Sequence, residues 1–316
     1  MRGLFKIAFF IFPIILNGQD IHFSQFSKST FFLNPSLLSS QESENKIVLQ
    51  RRNQWESVAI PFSTFTLSLE KKEVFLNNSF GVQLLNDVAG DAKFRTQGAS
   101  IIFSRGIKFN KLKFNIGVLL GRFQRSIFYD KLIFNSTENL QNTSFWFNDI
   151  SIGASIISNT KSNKPFNTGF SIYHLNQPNQ SLTNTQVKLN KKYNFYIFTK
   201  YELIENTSFS PKMFLSKQSQ DIELITSLDF DYVFENKPEL NLTFGLGNRW
   251  GDALIYSVGT KLNEFEFGFS YDYNISSLSK ASNNDGGFEI ILLYTWDIKK
   301  PDVKRNKTIK PCPKYL

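Results

Sequence analysis

The last quarter of the chain, Glu239 to Asp297, splits into two interleaved columns. From Asn263 to Tyr273 one column is Phe265, Phe267, Phe269, Tyr271 and Tyr273, and the other is Glu264, Glu266, Gly268, Ser270 and Asp272. Successive side chains of a strand point to opposite faces, so one face is aromatic and the other polar or small. The split recurs with Leu240, Leu242, Phe244 and Leu246 against Asn241, Thr243, Gly245 and Gly247. The final strand carries Phe288, Ile290, Leu292, Tyr294 and Trp296 on one side. Helical spacing would place apolar residues at i, i+3, i+4 and i+7, which none of these stretches does.

The same reading predicts strands over 46–56, 62–70, 79–87, 94–105, 111–123, 148–157, 167–175, 191–201, 209–218, 222–235, 239–249, 252–262, 263–273 and 287–297, about 14 in all. Two architectures use strands of this kind. A soluble sandwich buries the apolar face against a second sheet. A membrane barrel turns it to lipid and keeps the polar face inside. The three longest gaps, 124–143, 176–189 and 274–286, follow the fifth, seventh and thirteenth strands. With both termini in the periplasm all three fall on the outer side, where barrels carry their long loops, and a sandwich has no such rule. The expected fold is therefore all-β: a single transmembrane antiparallel β-barrel of about 14 strands. A closed sheet also removes exposed edges.

Composition agrees. The 316 residues include 34 Phe, and aromatics make up 16%, yet mean hydropathy is −0.23. Many apolar residues, each diluted by a polar neighbour, give that combination; a helical membrane protein does not. Residues 1–18 read as a signal peptide, with Arg2 and Lys6 ahead of the apolar run Ile7–Leu16 and a cut before Gln19. That run is too short to span a bilayer as a helix. Residues 19–45 form an irregular segment packed inside or beneath the barrel, 46–297 the barrel, and 298–316 a periplasmic tail. The formal net charge of +9 falls to +7 once Arg2 and Lys6 leave (9 − 2), and much of the rest sits in Lys299, Lys300, Lys304, Arg305, Lys307, Lys310 and Lys314. Such a run is a solvated tail or a docking arm. A secreted chain does not meet nucleic acid, which is excluded as a partner. Lone Cys312 has no disulfide partner and no metal-ligand cluster around it.

Enzymatic constellations are missing. The two histidines are His22, in the irregular segment, and His174, at a strand end. A hydrolase would set a histidine beside a serine, but Ser171 and His174 lie three apart along a strand, on opposite faces. The carboxylates Glu264, Glu266, Asp229 and Asp231 read as a hydrated lumen wall. Gly245 and Gly247 open no helix and form no nucleotide signature. Trp55, Trp146, Trp250 and Trp296 are girdle candidates or ordinary packing residues. No catalytic, cofactor-binding or metal-binding residue is assigned, and no cofactor is expected.

Five stretches carry a resemblance. They are Phe23-Ser24-Gln25-Phe26 with Asn34-Pro35; Gln50-Arg51-Arg52-Asn53-Gln54-Trp55; Gly81-Val82-Gln83-Leu84-Leu85-Asn86-Asp87 with Gly90; Gly169 to Pro178; and Gly268-Phe269-Ser270-Tyr271-Asp272 with Gly287-Phe288-Glu289 and Cys312-Pro313. In this order, across nearly the whole mature chain, they resemble the PorP/SprF family of type IX secretion system outer-membrane proteins. Ser36 departs from the family's usual alanine after Asn-Pro, though it stays small. The resemblance implies a non-enzymatic outer-membrane barrel that helps particular proteins, including gliding adhesins, across or onto the outer membrane. The partners so implied are outer-membrane lipid, a secreted or surface cargo protein, and periplasmic components of the secretion machinery. An outer-membrane pore or small-molecule transporter is the alternative.

Overall fold

The two-column pattern becomes the wall of a closed cylinder. The computed structural model describes residues 20–56, 60–90, 93–129, 143–158, 165–182, 186–277 and 279–298. The expected leader, Cys312 and the tail beyond residue 298 lie outside them. The strands are β1 (Asn45–Gln54), β2 (Phe62–Phe75), β3 (Asn78–Ala89), β4 (Phe94–Phe109) and β5 (Leu112–Ile127). They continue with β6 (Thr143–Ser158), β7 (Phe166–Tyr173), β8 (Lys192–Thr199), β9 (Tyr201–Ile204) and β10 (Thr207–Gln218). Last come β11 (Asp221–Phe234), β12 (Lys237–Arg249), β13 (Ala253–Leu262), β14 (Phe265–Asn274) and β15 (Asp285–Trp296).

Every pairing is antiparallel, and the ring closes where β1 meets β15. Closure satisfies each strand on both sides, which a membrane demands because hydrocarbon offers the backbone no hydrogen bonds. The eighth predicted strand is split in two. Both β8 and β9 pair with β10, and the ladder lapses between Phe209 and Lys212. Pro211 lies in that gap and has no N–H to donate, whereas its register with Leu228 on β11 is unbroken. The barrel thus has fourteen staves, one of them broken at Lys200.

The columns face as a membrane requires. Phe103, Ile116, Leu120, Phe244 and Leu246 are exposed on the outer surface, while Gln50, Thr66, Glu70, Ser100 and Ser151 are buried on the inner one. A water-soluble protein shows the reverse. At one end the turns 76–77, 110–111, 205–206, 235–236 and 263–264 hold two residues each. Asn77, Asn110, Asn206 and Asn263 supply the positive φ such turns need, between 52 and 65°. At the other end lie the three longest connections, 128–142, 174–191 and 275–284. Short turns mark the periplasmic end and long loops the outer one. Glu264, expected in the lumen wall, instead sits in a periplasmic turn, its carbonyl accepting from Thr295 N at 2.9 Å. Trp146 and Trp250 are exposed at the outer end, and Trp296 stacks on Tyr294 at the inner end.

The lumen is filled by the chain's own residues 20–44. The segment contains a 3-10 turn (Phe26–Lys28), one helical turn α1 (Thr30–Leu33) and a second 3-10 stretch (Pro35–Ser40). Its apolar side chains meet the few apolar residues of the inner wall. Phe26, Leu33 and Leu37 pack with Tyr196, Phe214, Ile225 and Ile255. Phe31 and Leu38 pack with Ile102, Leu119 and Tyr173. Most of the barrel's hydrophobic core is therefore the contact between plug and wall; a third, smaller cluster, Val48 with Ile291 and Leu293, belongs to the wall alone.

Candidate functional site

Asp20 lies at the outer mouth, and the plug descends to Ser39 before the chain turns back up as β1. Two polar knots tie its upper end. In the first, Ser24 Oγ donates to Asp272 at 2.6 Å and accepts from Arg52 Nη1 at 2.6 Å and Arg249 Nη2 at 3.0 Å. One hydroxyl thereby uses its one donor and both lone pairs. Arg52 Nη2 and Arg249 Nη1 both donate to Asp272 Oδ2, at 2.6 and 2.7 Å. Glu289 is fully buried on β15, between them. It accepts from Ser24 N, Gln25 N and Gln50 Nε2 at 2.7, 3.1 and 2.7 Å. Glu223 completes the set by accepting from Arg249 Nε at 3.0 Å. Charges this deep are tolerable when paired and hydrogen-bonded; every ion here has a partner of opposite sign, and of the two guanidinium groups only Arg52 Nε is left without an acceptor.

In the second knot, His174 Nε2 faces Asp20 at 3.1 Å and His174 Nδ1 faces Asp149 at 3.0 Å. Lys192 Nζ lies 3.6 Å from Asp20 and donates to Ile21 O at 3.3 Å. His174 follows the last residue of β7 and lies outside the spanning strands. Burial alone would lower its pKa, but the carboxylates of Asp20 and Asp149 outweigh it and lift the imidazole to about 9. Burial would raise Asp20; Lys192 and His174 instead hold it well below the usual carboxylate range. His22 is pushed down to about 3, chiefly by burial and also by the cations Arg249 and Arg52 nearby, so its ring is neutral. It shares a 3.2 Å contact with Gln54.

Strand alternation would put Ser171 and His174 on opposite faces. They are both luminal, because β7 ends at Tyr173 and His174 takes φ +57°. Neither is engaged with the other: both imidazole nitrogens face carboxylates, and Ser171 Oγ donates to Leu33 O at 2.8 Å. Where β7 stops, Asn176 replaces the missing strand. Its side chain accepts from Ile150 N at 3.1 Å and donates to Asn148 O at 2.7 Å.

Lower down, Lys28 pairs with Glu266 at 2.6 Å and Lys46 with Glu70 at 3.0 Å. Asp229 is paired with Lys212, and Asp231 accepts from Thr243 at 2.6 Å. Asn34 seats the plug at mid-lumen. Its Oδ1 accepts from Ser36 N at 2.9 Å, capping the 3-10 stretch, and its Nδ2 donates to Ala154 O and Phe170 O, each at 3.1 Å. Beneath it Gly117 and Gly153, register partners on β5 and β6, let the backbones touch; a Cβ on either would overlap Pro35 or Asn34. Ser36 is fully buried and donates to Ser155, which explains a small residue there.

Three of the five scattered stretches converge here. Ser24 from the first stretch, Gln50 and Arg52 from the second, and Asp272 and Glu289 from the last meet in the first knot. Arg249 and Glu223 belong to no such stretch, and only their inward parity, on β12 and β11, could have marked them.

Among solved structures the fold is similar to the Ralstonia pickettii toluene transporter TbuX, at 9% identity and TM-score 0.51, over 86% of this chain and 94% of that one. It is likewise similar to a Pseudomonas aeruginosa FadL homologue, at 9% identity and TM-score 0.50, over 85% and 94%. At such identity the likeness speaks for the outer-membrane barrel fold alone. Comparison with curated proteins found no match. The model of the family "Type IX secretion system membrane protein PorP/SprF" matches residues 15–294, plug and nearly all of the barrel together. With three of the five stretches meeting at one knot inside an outer-membrane barrel, and the family model spanning plug and wall, the chain belongs to the PorP/SprF family of type IX secretion system proteins.

Proposed function

We propose that this barrel is a non-enzymatic component of type IX secretion that assists the export or surface anchoring of a partner protein, a gliding adhesin being one such cargo. Family membership supports the secretion role. The single structural observation behind the rest is the plug. The first knot and the two apolar clusters hold residues 20–44 across the lumen, so the barrel acts through its loops and rims and not as a standing pore. The buried charges of the two knots are bound to one another, which suits anchorage better than catalysis.

Deleting the gene tests the reading. Expected is the loss of one large protein from the cell surface and medium, restored by the wild-type gene; an unchanged set of surface and secreted proteins overturns it. In planar bilayers the full chain should show little steady conductance. A large open current would favour the pore.

A further inference from the structure

The periplasmic rim is electrically polarised. Over β2 to β5 it carries Lys71, Lys72, Arg105, Lys108, Lys111 and Lys113 against Glu73 and the buried Glu70, which is already paired with Lys46. Over β9 to β14, on the far side of the ring, it carries Glu202, Glu205, Glu235, Glu239 and Glu264 against Lys237 and Lys261.

Within the basic sector Lys108 and Lys113 are register partners on adjacent strands and share the lumen-facing column. Like charges directly opposite one another destabilise a sheet. Their neighbours do little to cancel the charge. Lys113 Nζ donates to Ser39 O at 2.6 Å and Lys72 Nζ to Glu42 O at 3.2 Å, both neutral main-chain acceptors. Glu73, 3.6 Å from Lys113, is the only carboxylate among the described residues within ion-pair distance of the six cations.

We infer that this sector is a docking surface for an acidic patch on a periplasmic protein; the inference rests on the secretion role proposed above. Inner-leaflet headgroups are the competing anion. Lys71 and Arg105 are on the outward column, beside lipid. Lys72, Lys108 and Lys113 are on the lumen-facing column and Lys111 is in the turn, where a protein below the barrel reaches them and a headgroup beside it does not. A partner bound here also touches the segment 39–44, where the plug leaves the lumen and becomes β1.

The test uses the full chain in cells, with a photo-crosslinking residue at Asn110, in the basic turn, or at Asn236, in an acidic one. Expected from position 110 is an adduct with a periplasmic protein through an Asp- and Glu-rich peptide, with little from position 236. Lys108→Glu with Lys111→Glu touches no plug contact and should reduce the adduct about tenfold or more. Purified full chain in zwitterionic detergent should bind polyglutamate, lose it in the same double variant, and release it as salt rises. Equal adducts from both turns, an adduct unmoved by charge reversal, an adduct with lipid alone, or none, would each overturn the inference. The deletion experiment is independent: loss of cargo with an intact rim adduct supports both readings, and loss of cargo without one removes only the docking surface.

Discussion

Arg52 and Asp272 are 220 residues apart in sequence and 2.6 Å apart in the barrel, both almost wholly buried. Their strands are not neighbours. β15 runs between them, and the pair closes over Glu289, so one ion pair ties the first strand to the last two and, through Ser24, to the plug.

Removing one partner should cost far more than an exposed salt bridge would. Arg52→Met leaves Asp272 with Arg249 as its one cation and Glu289 with no guanidinium. Breaking a buried pair in this way costs about 3–5 kcal/mol. Ser24→Ala removes one hydroxyl and should cost about 1 kcal/mol. Heat-induced loss of the folded band on electrophoresis would rank them; an Arg52→Met barrel as heat-resistant as wild type would refute the knot's role.

Gly153→Ala should unseat the plug without opening the wall. The added methyl overlaps Asn34 Oδ1, and overpacking of this kind costs about 1–3 kcal/mol. The expected sign is proteolysis within residues 20–44 while the strands stay protected. Gly251→Ala, whose Cβ would meet nothing within 4 Å, controls for changes at glycine. It lies in an outer turn at φ +80°, so it carries local strain of its own but should not expose the plug.

The second knot should depend on pH in two directions. His174 has its folded pKa raised to about 9 from an ordinary value near 6.5. Its contribution is complete below about 6.5 and is lost as pH rises through 9. Asp20 has its folded pKa lowered, so its contribution is present above its ordinary value and is lost as pH falls below it. Barrel stability should therefore decline between about pH 6.5 and 9 in the wild type, and His174→Gln should flatten that decline. Parallel wild-type and variant profiles would contradict the assignment.

Plug direction can be read from outside the cell. In a Cys312→Ser background, Asp20→Cys should react with a membrane-impermeant thiol reagent on intact cells. Lys111→Cys should react only after the outer membrane is permeabilised. The opposite pattern would invert the barrel.

Some of this was settled by order along the chain. Alternation at Phe265 to Tyr273 and at Leu240 to Leu246 specifies strands with one greasy and one polar face, because the two-residue period is a property of the extended backbone. The length and parity of the gaps pointed to a barrel with its long loops outward. Neither kind of information reaches across the lumen. Nothing local says that Ser24 would sit between Arg52 and Arg249, that Asn34 needs glycines at 117 and 153, or that His174 would swing inward past Ser171. Those facts depend on closing the ring, which brings inward-facing residues from distant strands together around residues 20–44. Pro211 was visible in the sequence, yet its effect, a broken eighth stave, needed the identity of the neighbouring strand. Periodicity fixes which face a side chain is on; only closure decides what it meets there.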